Sequence, residues 1–320
     1  MEKRRLGTTD IHITPVLMGT WQAGQKQWVG IEDAESIKAI RAAVDAGITT
    51  IDTAEVYGNG HSEQVIAQAL SDVPRDRIVY ATKVFANHLK FDQVLEACDH
   101  SLKNLKIDYI DLYQIHWPSG SFNTEIVPIE ETMSALNQLK QQGKIRAIGV
   151  SNFSRTQLEE AAQYGRIDSI QPPYSLFWRW VEKEVTPYCV ENDISILAYS
   201  PLAQGLLTGK FGREHQFDPQ DNRAKNKLFL GENYERAQQA LEKLRLIAER
   251  HQASVANLAI AWLIAQPQTQ AIVGARTAEQ AVGNAKAATL QLSTEDLAEI
   301  DDIGCIVTDH LDDNPVMWNW

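Results

Sequence analysis

Four side chains able to move protons follow or end apolar runs of this chain. Asp52 falls in ITTIDT (48–53), Lys83 closes IVYATK (78–83), and His116 closes YIDLYQIH (109–116). Tyr57 lies just past Asp52, in IDTAEVYGNGHSE (51–63). Each has an ordinary reading: a cap for the Asp, a satisfied structural group for the His before Trp-Pro, packing for the Tyr. Lys83 is harder to discount. An ammonium at the end of an apolar strand is costly to desolvate unless it is paired, and Asp52, on the neighbouring strand, is its natural partner. Together the four suit proton donation to a carbonyl. A tyrosine with a pKa near ~10 is a poor donor at neutral pH. A nearby ammonium is expected to draw that pKa down. Asp52 would hold Lys83 charged, and His116 would orient the carbonyl oxygen or relay a proton. A buried lysine also admits a second chemistry, a Schiff-base aldolase with Lys83 as the amine.

Gly58-Asn59-Gly60 raises the question of a dinucleotide loop. Glu63 stands where the third glycine of that fingerprint belongs, and the fingerprint requires a different fold. The glycines are expected to shape the turn that presents Tyr57.

The elements that must position these groups alternate along the chain. Strand-like runs occur at LMGT (17–20), 48–53, 78–83, 109–116, IRAIGV (145–150), IDSIQ (167–171), ISILAYS (194–200) and QAIVG (270–274). Helical stripes lie between them, such as Val94, Cys98, Leu102, Leu105 and Ile129, Met133, Leu136, Leu139. Ser154-x-x-Gln157 and Thr277-x-x-Gln280 have the pattern of capping boxes. RRLG, TTD and IHIT predict an opening hairpin. Eight βα units without a linker predict an α/β fold: a single (β/α)8 TIM barrel over residues 1–320, with an N-terminal β-hairpin and two extra helices. Active sites of such barrels lie at the C-terminal ends of the strands, where these residues fall. The polar stretch 202–231 is too long for an ordinary connection and is expected to cover a ligand. Helical patterns follow at about 232–250 and 253–266, and 304–320 is expected to be an irregular tail.

Composition excludes several functions. The formal net charge of −12 argues against nucleic acid and anionic membrane surfaces as partners. No run of about 18 apolar residues is present, so no membrane span is expected. The charged start MEKRRLGTTD has no apolar stretch behind it, which predicts a cytoplasmic chain without a signal peptide. Cys98, Cys189 and Cys305 are scattered, which predicts reduced thiols and no metal site.

GITTIDTAEVYGNGHSE, YATKV, DLYQIHWP, GKIRAIGVSNF, the Gln171 segment, AYSPLAQGLLTGK and the IVGARTAEQ region resemble the aldo-keto reductase superfamily, in order and across essentially the whole chain. YSPLAQGLLTGK and the length are most similar to its bacterial general-stress-protein branch. The resemblance implies an NADP(H)-dependent reductase of aldehydes and ketones acting on a small-molecule carbonyl, with Asp52, Tyr57, Lys83 and His116 as the catalytic tetrad and Tyr57 as proton donor. It implies that Ser151, Asn152 and Gln171 hold the nicotinamide carboxamide and that Tyr199 stacks on its ring. Ser200, Leu202, Gly205 and Lys210 would meet the pyrophosphate and ribose. Gly274, Arg276, Gln280 and Asn284 would meet the adenosine end, with Arg276 on the 2′-phosphate. An arginine beside a capping box is also simply a solvated side chain. Many relatives have Glu-Asn where this chain has Gly283-Asn284, which alters the adenine contact. Trp21, Trp28, Phe85 and Trp117 are candidates for the substrate pocket, with Trp21 also a cofactor contact. Trp178, Trp180, Trp318 and Trp320 are candidates for the barrel mouth or an oligomer contact. A rival within the same resemblance is a cofactor-sensing regulatory subunit, like potassium-channel beta subunits, which keeps the tetrad but acts through a partner. The aldolase reading leaves the whole cofactor set unexplained.

Overall fold

The computed structural model describes residues 1–25, 30–218 and 221–312. Strands β1 (Arg4–Arg5) and β2 (His12–Ile13) pair antiparallel as the expected hairpin. Eight parallel strands follow: β3 (Val16–Gly19), β4 (Thr50–Asp52), β5 (Val79–Val84), β6 (Ile110–Ile115), β7 (Ile145–Ser151), β8 (Ser169–Gln171), β9 (Ser195–Ala198) and β10 (Thr269–Gly274). They close into a barrel in sequence order, with β10 pairing back on β3. Every strand read from the sequence is present. Nearly every strand residue is buried, because the barrel interior covers one face and helices the other.

The helices are α1 (Asp33–Asp45), α2 (His61–Ala69), α3 (Phe91–Leu105), α4 (Ile129–Gln141), α5 (Arg155–Ala162), α6 (Val181–Glu191), α7 (Gly231–Arg250), α8 (Val255–Ile264), α9 (Ala278–Lys286) and α10 (Thr294–Thr308). The sequence stripes face inward: Met133, Leu136 and Leu139 of α4 and Val94, Cys98 and Leu105 of α3 are buried. Of the two helices after the polar stretch, α8 completes the seventh unit and is apolar all round, because it packs against both α7 and α9. The two helices beyond the eightfold plan are therefore α7 and α10. The end of α10 runs through Gly304, which corrects the irregular tail; residues 313–320 lie outside the described residues. Trp178 is buried in the main core and Trp180 packs against it, so neither is a free aromatic of the mouth. Trp318 and Trp320 lie outside the described residues.

The capping boxes divide. Ser154 and Gln157 satisfy both halves. Thr277 caps the Gln280 amide, but the Gln280 side chain accepts the amide of Arg276 at 2.8 Å, one residue early. In the stretch 202–231, Ala203, Leu206, Leu207, Phe211, Leu228 and Phe229 are buried, while 212–216 are exposed. Three short 3₁₀ turns surround Phe211, Phe217 and Phe229, whose ring centroids lie 4.9 to 5.9 Å apart. No helix among the described residues is long and apolar enough to cross a membrane. Cys98 and Cys189 are buried free thiols, each pushed up to about 12 by burial.

The hairpin determines which end of the barrel is open to chemistry. Leu6, Ile11 and Ile13 join Leu17, Ala81, Leu112, Ala147, Leu197 and Ile272 in one buried cluster inside the barrel. Arg4 donates to the Thr269 carbonyl at 2.8 Å and the Gly7 amide to Ser195 Oγ at 2.9 Å, both at strand starts. The N-terminal end is thus sealed by the hairpin. Leu6→Ala should open a cavity in this floor and cost ~2–5 kcal/mol of stability, read by urea unfolding. Ligand binding at the opposite end should be unchanged in the folded protein.

Candidate active site

Lys83 is fully buried, and its ammonium donates to Asp52 Oδ1 at 2.7 Å and to the Thr53 carbonyl at 2.7 Å. The strand register produces this pair. Asp52 stands beside Ala81, two residues below Lys83, so both side chains enter the same layer at the C-terminal end of the barrel. The other Asp52 oxygen accepts Gln171 Nε2 at 2.9 Å and Gln114 Nε2 at 3.5 Å.

Tyr57 is presented by a turn between β4 and α2. Gly58 has φ +65° and Gly60 has φ +85°, both in the region that favours glycine. A Cβ on Gly24 would lie 2.7 Å from the Tyr57 carbonyl carbon, and one on Gly58 would collide with the Gly24 carbonyl oxygen. Two glycines therefore let the Trp21–Gly24 turn lie directly on the Tyr57 turn. Ser62 ties them by donating to the Thr20 carbonyl at 3.0 Å, and Thr20 Oγ1 donates to the Asp52 carbonyl at 2.9 Å. Glu63 is a fully buried anchor for the same turn. It accepts Thr82 Oγ1 at 2.8 Å and Asn104 Nδ2 at 3.0 Å. The glycines shape a turn, as expected.

The tetrad residues come together. The Lys83 ammonium lies 5.1 Å from the Tyr57 ring centroid, and the His116 ring meets Tyr57 edge-on at 5.6 Å. Phe85 packs on His116 at 5.6 Å and Trp21 on Tyr57 at 6.5 Å. Trp117 joins through Phe122, which stacks on Phe85 at 5.5 Å. Phe122 escaped the sequence reading because it lies in a loop without periodicity. Trp28 lies outside the described residues.

The residues expected to hold a nicotinamide line the next strand ends. Ser151 Oγ donates to the Gln171 carbonyl at 2.7 Å, Asn152 Nδ2 to the His116 carbonyl at 3.1 Å, and the Tyr199 hydroxyl to Asn152 Oδ1 at 2.8 Å. Asn152 and Ser200 both have positive φ. Leu202 precedes a left-handed run at Ala203, Gln204 and Gly205. Lys210 and Arg276 both have their pKa lowered, first by desolvation and then by nearby cations, Arg223 among them for each. Arg223 was not legible in the sequence as part of this group; a 3₁₀ turn of the packed loop brings it in. Asn284 Nδ2 holds the Gly274 carbonyl at 3.2 Å, and Gln280 fixes the backbone of Arg276. At Gly283 a Cβ would meet nothing within 4 Å, so the position faces open space.

Comparison with known proteins agrees with this geometry. Residues 15–304 match the model of the Aldo/keto reductase family. The chain is 38% identical over 314 residues to the aldo-keto reductase YhdN of Bacillus subtilis, covering 95% of this chain and 93% of that one. It is also 38% identical to an NADH-specific methylglyoxal reductase of Escherichia coli, covering 92% of this chain and 96% of that one. Among solved structures, the glycerol dehydrogenase AKR11B4 of Gluconobacter oxydans superposes with a TM-score of 0.89 at 34% identity, covering 97% of each chain.

This chain belongs to the aldo/keto reductase family.

Such enzymes reduce carbonyls by hydride transfer from a nicotinamide cofactor. In this aldo-keto reductase the charges correct one expectation. Lys83 does not draw the Tyr57 phenol down. Burial, and then the charge of Asp52, push it well above its usual value. The reason is the pairing itself: Asp52 neutralises the ammonium that would have favoured a phenolate, and the desolvated ring opposes ionisation. Burial also pulls Lys83 down, against the opposing pull of Asp52. Burial first, then Lys83, hold His116 well below the imidazole range, and its Nδ1 has no hydrogen-bond partner among the described residues. The tetrad is thus one compensated ion pair beside a neutral phenol and a neutral imidazole.

The depressed His116 pKa has a consequence for stability. The folded protein resists protonating this ring, so its contribution is complete above the unfolded value of ~6.5. It is lost as pH falls below that value toward the folded one. Wild type should therefore lose stability faster than His116→Gln on acidification, by up to ~1.4 kcal/mol per pH unit. Urea midpoints of both proteins on either side of that pH measure it. Parallel losses in the two would show that His116 titrates normally.

Proposed function

We propose that this chain reduces aldehydes and ketones to alcohols with NADPH, in the cytoplasm, and that Tyr57 gives the proton to the carbonyl oxygen. The observation that carries the reading is the Lys83 ammonium, pinned by Asp52 and held 5.1 Å from the Tyr57 ring with His116 across it. Tyr57 keeps its proton until the carbonyl oxygen gains charge. Lys83 then stabilises the phenolate left behind, and His116, neutral, donates a hydrogen bond that orients the oxygen. Two acceptors engage the lysine ammonium, Asp52 and the Thr53 carbonyl, which favours this role over a Schiff-base amine.

The residues present fit a nicotinamide cofactor. Lys210, Arg223 and Arg276 lie close enough to affect one another electrostatically, with Asp221 beside Arg223 and Arg276, so three cations gather at that corner. Ser151, Asn152 and Gln171 would hold the carboxamide, with Tyr199 against the ring. Ser200, Leu202, Gly205 and Lys210 would hold the pyrophosphate, residues 202–231 would cover it, and Gly274, Arg276, Gln280 and Asn284 would take the adenosine end. The cofactor supplies the hydride. Trp21, Phe85, Trp117 and Phe122 would wall the carbonyl. The YSPLAQGLLTGK segment supports placement on the general-stress-protein branch.

Tyr57→Phe removes one oxygen and keeps the ring. Reduction of a simple aldehyde, followed by NADPH absorbance, should fall by ~10² or more, with NADPH binding nearly unchanged. A variant that retains most of its rate would remove Tyr57 from the donor role.

Cofactor choice needs its own test, because one relative is NADH-specific. Only a cation can distinguish the 2′-phosphate, and Arg276 is the candidate. A hydrogen-bonded charge is worth ~1.5–3 kcal/mol, about tenfold or more in affinity. Wild type should prefer NADPH to NADH in KM by at least about tenfold. Arg276→Ala should weaken NADPH by that amount and leave NADH nearly untouched. Equal use of both cofactors by wild type, or equal losses in the variant, would make Arg276 a solvated surface residue.

A further inference from the structure

Gln114 is a fully buried carboxamide that the tetrad does not explain. It stands on β6 in register with Lys83 on one side and Gly149 on the other. Its room comes from that glycine: a Cβ on Gly149 would lie 2.8 Å from Gln114 Cγ and would also strike Ser169 Oγ. A buried amide is costly unless its polar atoms find partners. Gln114 Nε2 donates to Asp52 Oδ2 at 3.5 Å, and its Oε1 accepts Gln171 Nε2 at 3.4 Å. Gln171 Nε2 also donates to Asp52 Oδ2 at 2.9 Å. The three groups form a closed ring of hydrogen bonds.

The ring has one consistent set of orientations. A carboxylate only accepts, so both amides must turn their N–H groups toward Asp52. Gln171 then has its nitrogen engaged twice and keeps Oε1 as its available acceptor. We infer that Gln114 is a positioning residue, which locks the Gln171 amide with its nitrogen on Asp52 so that Gln171 meets the amide N–H of a nicotinamide as an acceptor. This rests on the cofactor reading given above. Without Gln114, the bond to Asp52 alone holds Gln171, which still faces Asp52 with its nitrogen but is held less firmly in place.

Gln114→Met keeps length and volume and removes both polar atoms. Gln114→Glu, when protonated, keeps one donor and one acceptor. Equilibrium binding by fluorescence quenching, with NADPH and with 2′,5′-ADP, which lacks the nicotinamide, separates positioning from general loosening. Gln114→Met should weaken NADPH about fivefold, the value of one net hydrogen bond, and leave 2′,5′-ADP unchanged. Gln114→Glu should bind NADPH nearly as wild type does at mildly acidic pH, and its deficit relative to wild type should grow as pH rises, because a second carboxylate beside Asp52 resists ionisation until then. Equal weakening of both ligands, or wild-type binding by Gln114→Met, overturns the inference; should Gln114→Met fail to fold, the pH-dependent deficit of Gln114→Glu decides alone, and its absence overturns it. A wild type that binds NADPH but reduces no carbonyl sinks the proposed reaction and leaves the binding comparison to decide on Gln114. A wild type that binds no nicotinamide cofactor overturns both.

Discussion

A fully buried ammonium is the constraint around which this barrel is organised. Desolvating Lys83 alone would be prohibitive, and removing one member of a buried pair leaves the other uncompensated. The pair can exist only because adjacent strands hold Asp52 and Lys83 at a fixed offset, with a backbone carbonyl as the third partner. The demand spreads outward. Asp52 has a second oxygen, and two buried glutamines from β6 and β8 satisfy it. One of them needs the space of Gly149, so a charge on β5 governs a glycine on β7. The cost of this layer is offset by the apolar interior beneath it and the hairpin that seals it.

The two ends of the barrel divide stability and chemistry. The floor is an apolar cluster tied to strand starts by the Arg4–Thr269 and Gly7–Ser195 hydrogen bonds. The mouth carries positive φ at Asn152, Ser200, Ala203 and Gln204, turns stacked through Gly24 and Gly58, and a buried Glu63. Such conformations cost free energy and persist only where surrounding structure over-determines them. Around the Tyr57 turn the hydroxyls of Thr20, Thr53 and Ser62 and the amide of Asn104 do so, and at Asn152 its own side chain does, bonded to the His116 carbonyl and the Tyr199 hydroxyl.

The fold was legible because a (β/α)8 barrel writes itself in local patterns: apolar runs buried on both faces, alternating with stripes of helical period. The Asp52–Lys83 pair was legible because an ammonium closing an apolar strand needs a partner. What escaped depends on contacts between distant segments. Gln114 reads as one polar residue in an apolar strand, and its role emerges only when β4 and β8 bring Asp52 and Gln171 to it. Arg223 reads as a loop cation until Phe211 and Phe217 fold the loop. Glu63 was legible only as a failed glycine. The direction of the Tyr57 shift was misread for the same reason: proximity of Lys83 is visible in the pattern, but the balance between its charge, Asp52 and burial is a property of the packed site.

That balance also fits the acid role proposed for a phenol so reluctant to ionise. A proton donor must retain its proton in the resting site and lose it only as negative charge appears on the acceptor. Desolvation and Asp52 enforce the first condition. In the proposed reaction Lys83 would meet the second, since an ammonium fixed at 5.1 Å from the ring needs no reorganisation when charge moves toward it. A site that merely lowered the phenol's pKa would have lost part of its acid before any carbonyl arrived. Neutral His116, kept so by burial and by that same ammonium, can donate one hydrogen bond to the oxygen without competing for the proton. In the proposed reaction the buried pair would therefore act through what it withholds at rest as much as through the charge it offers in the transition state.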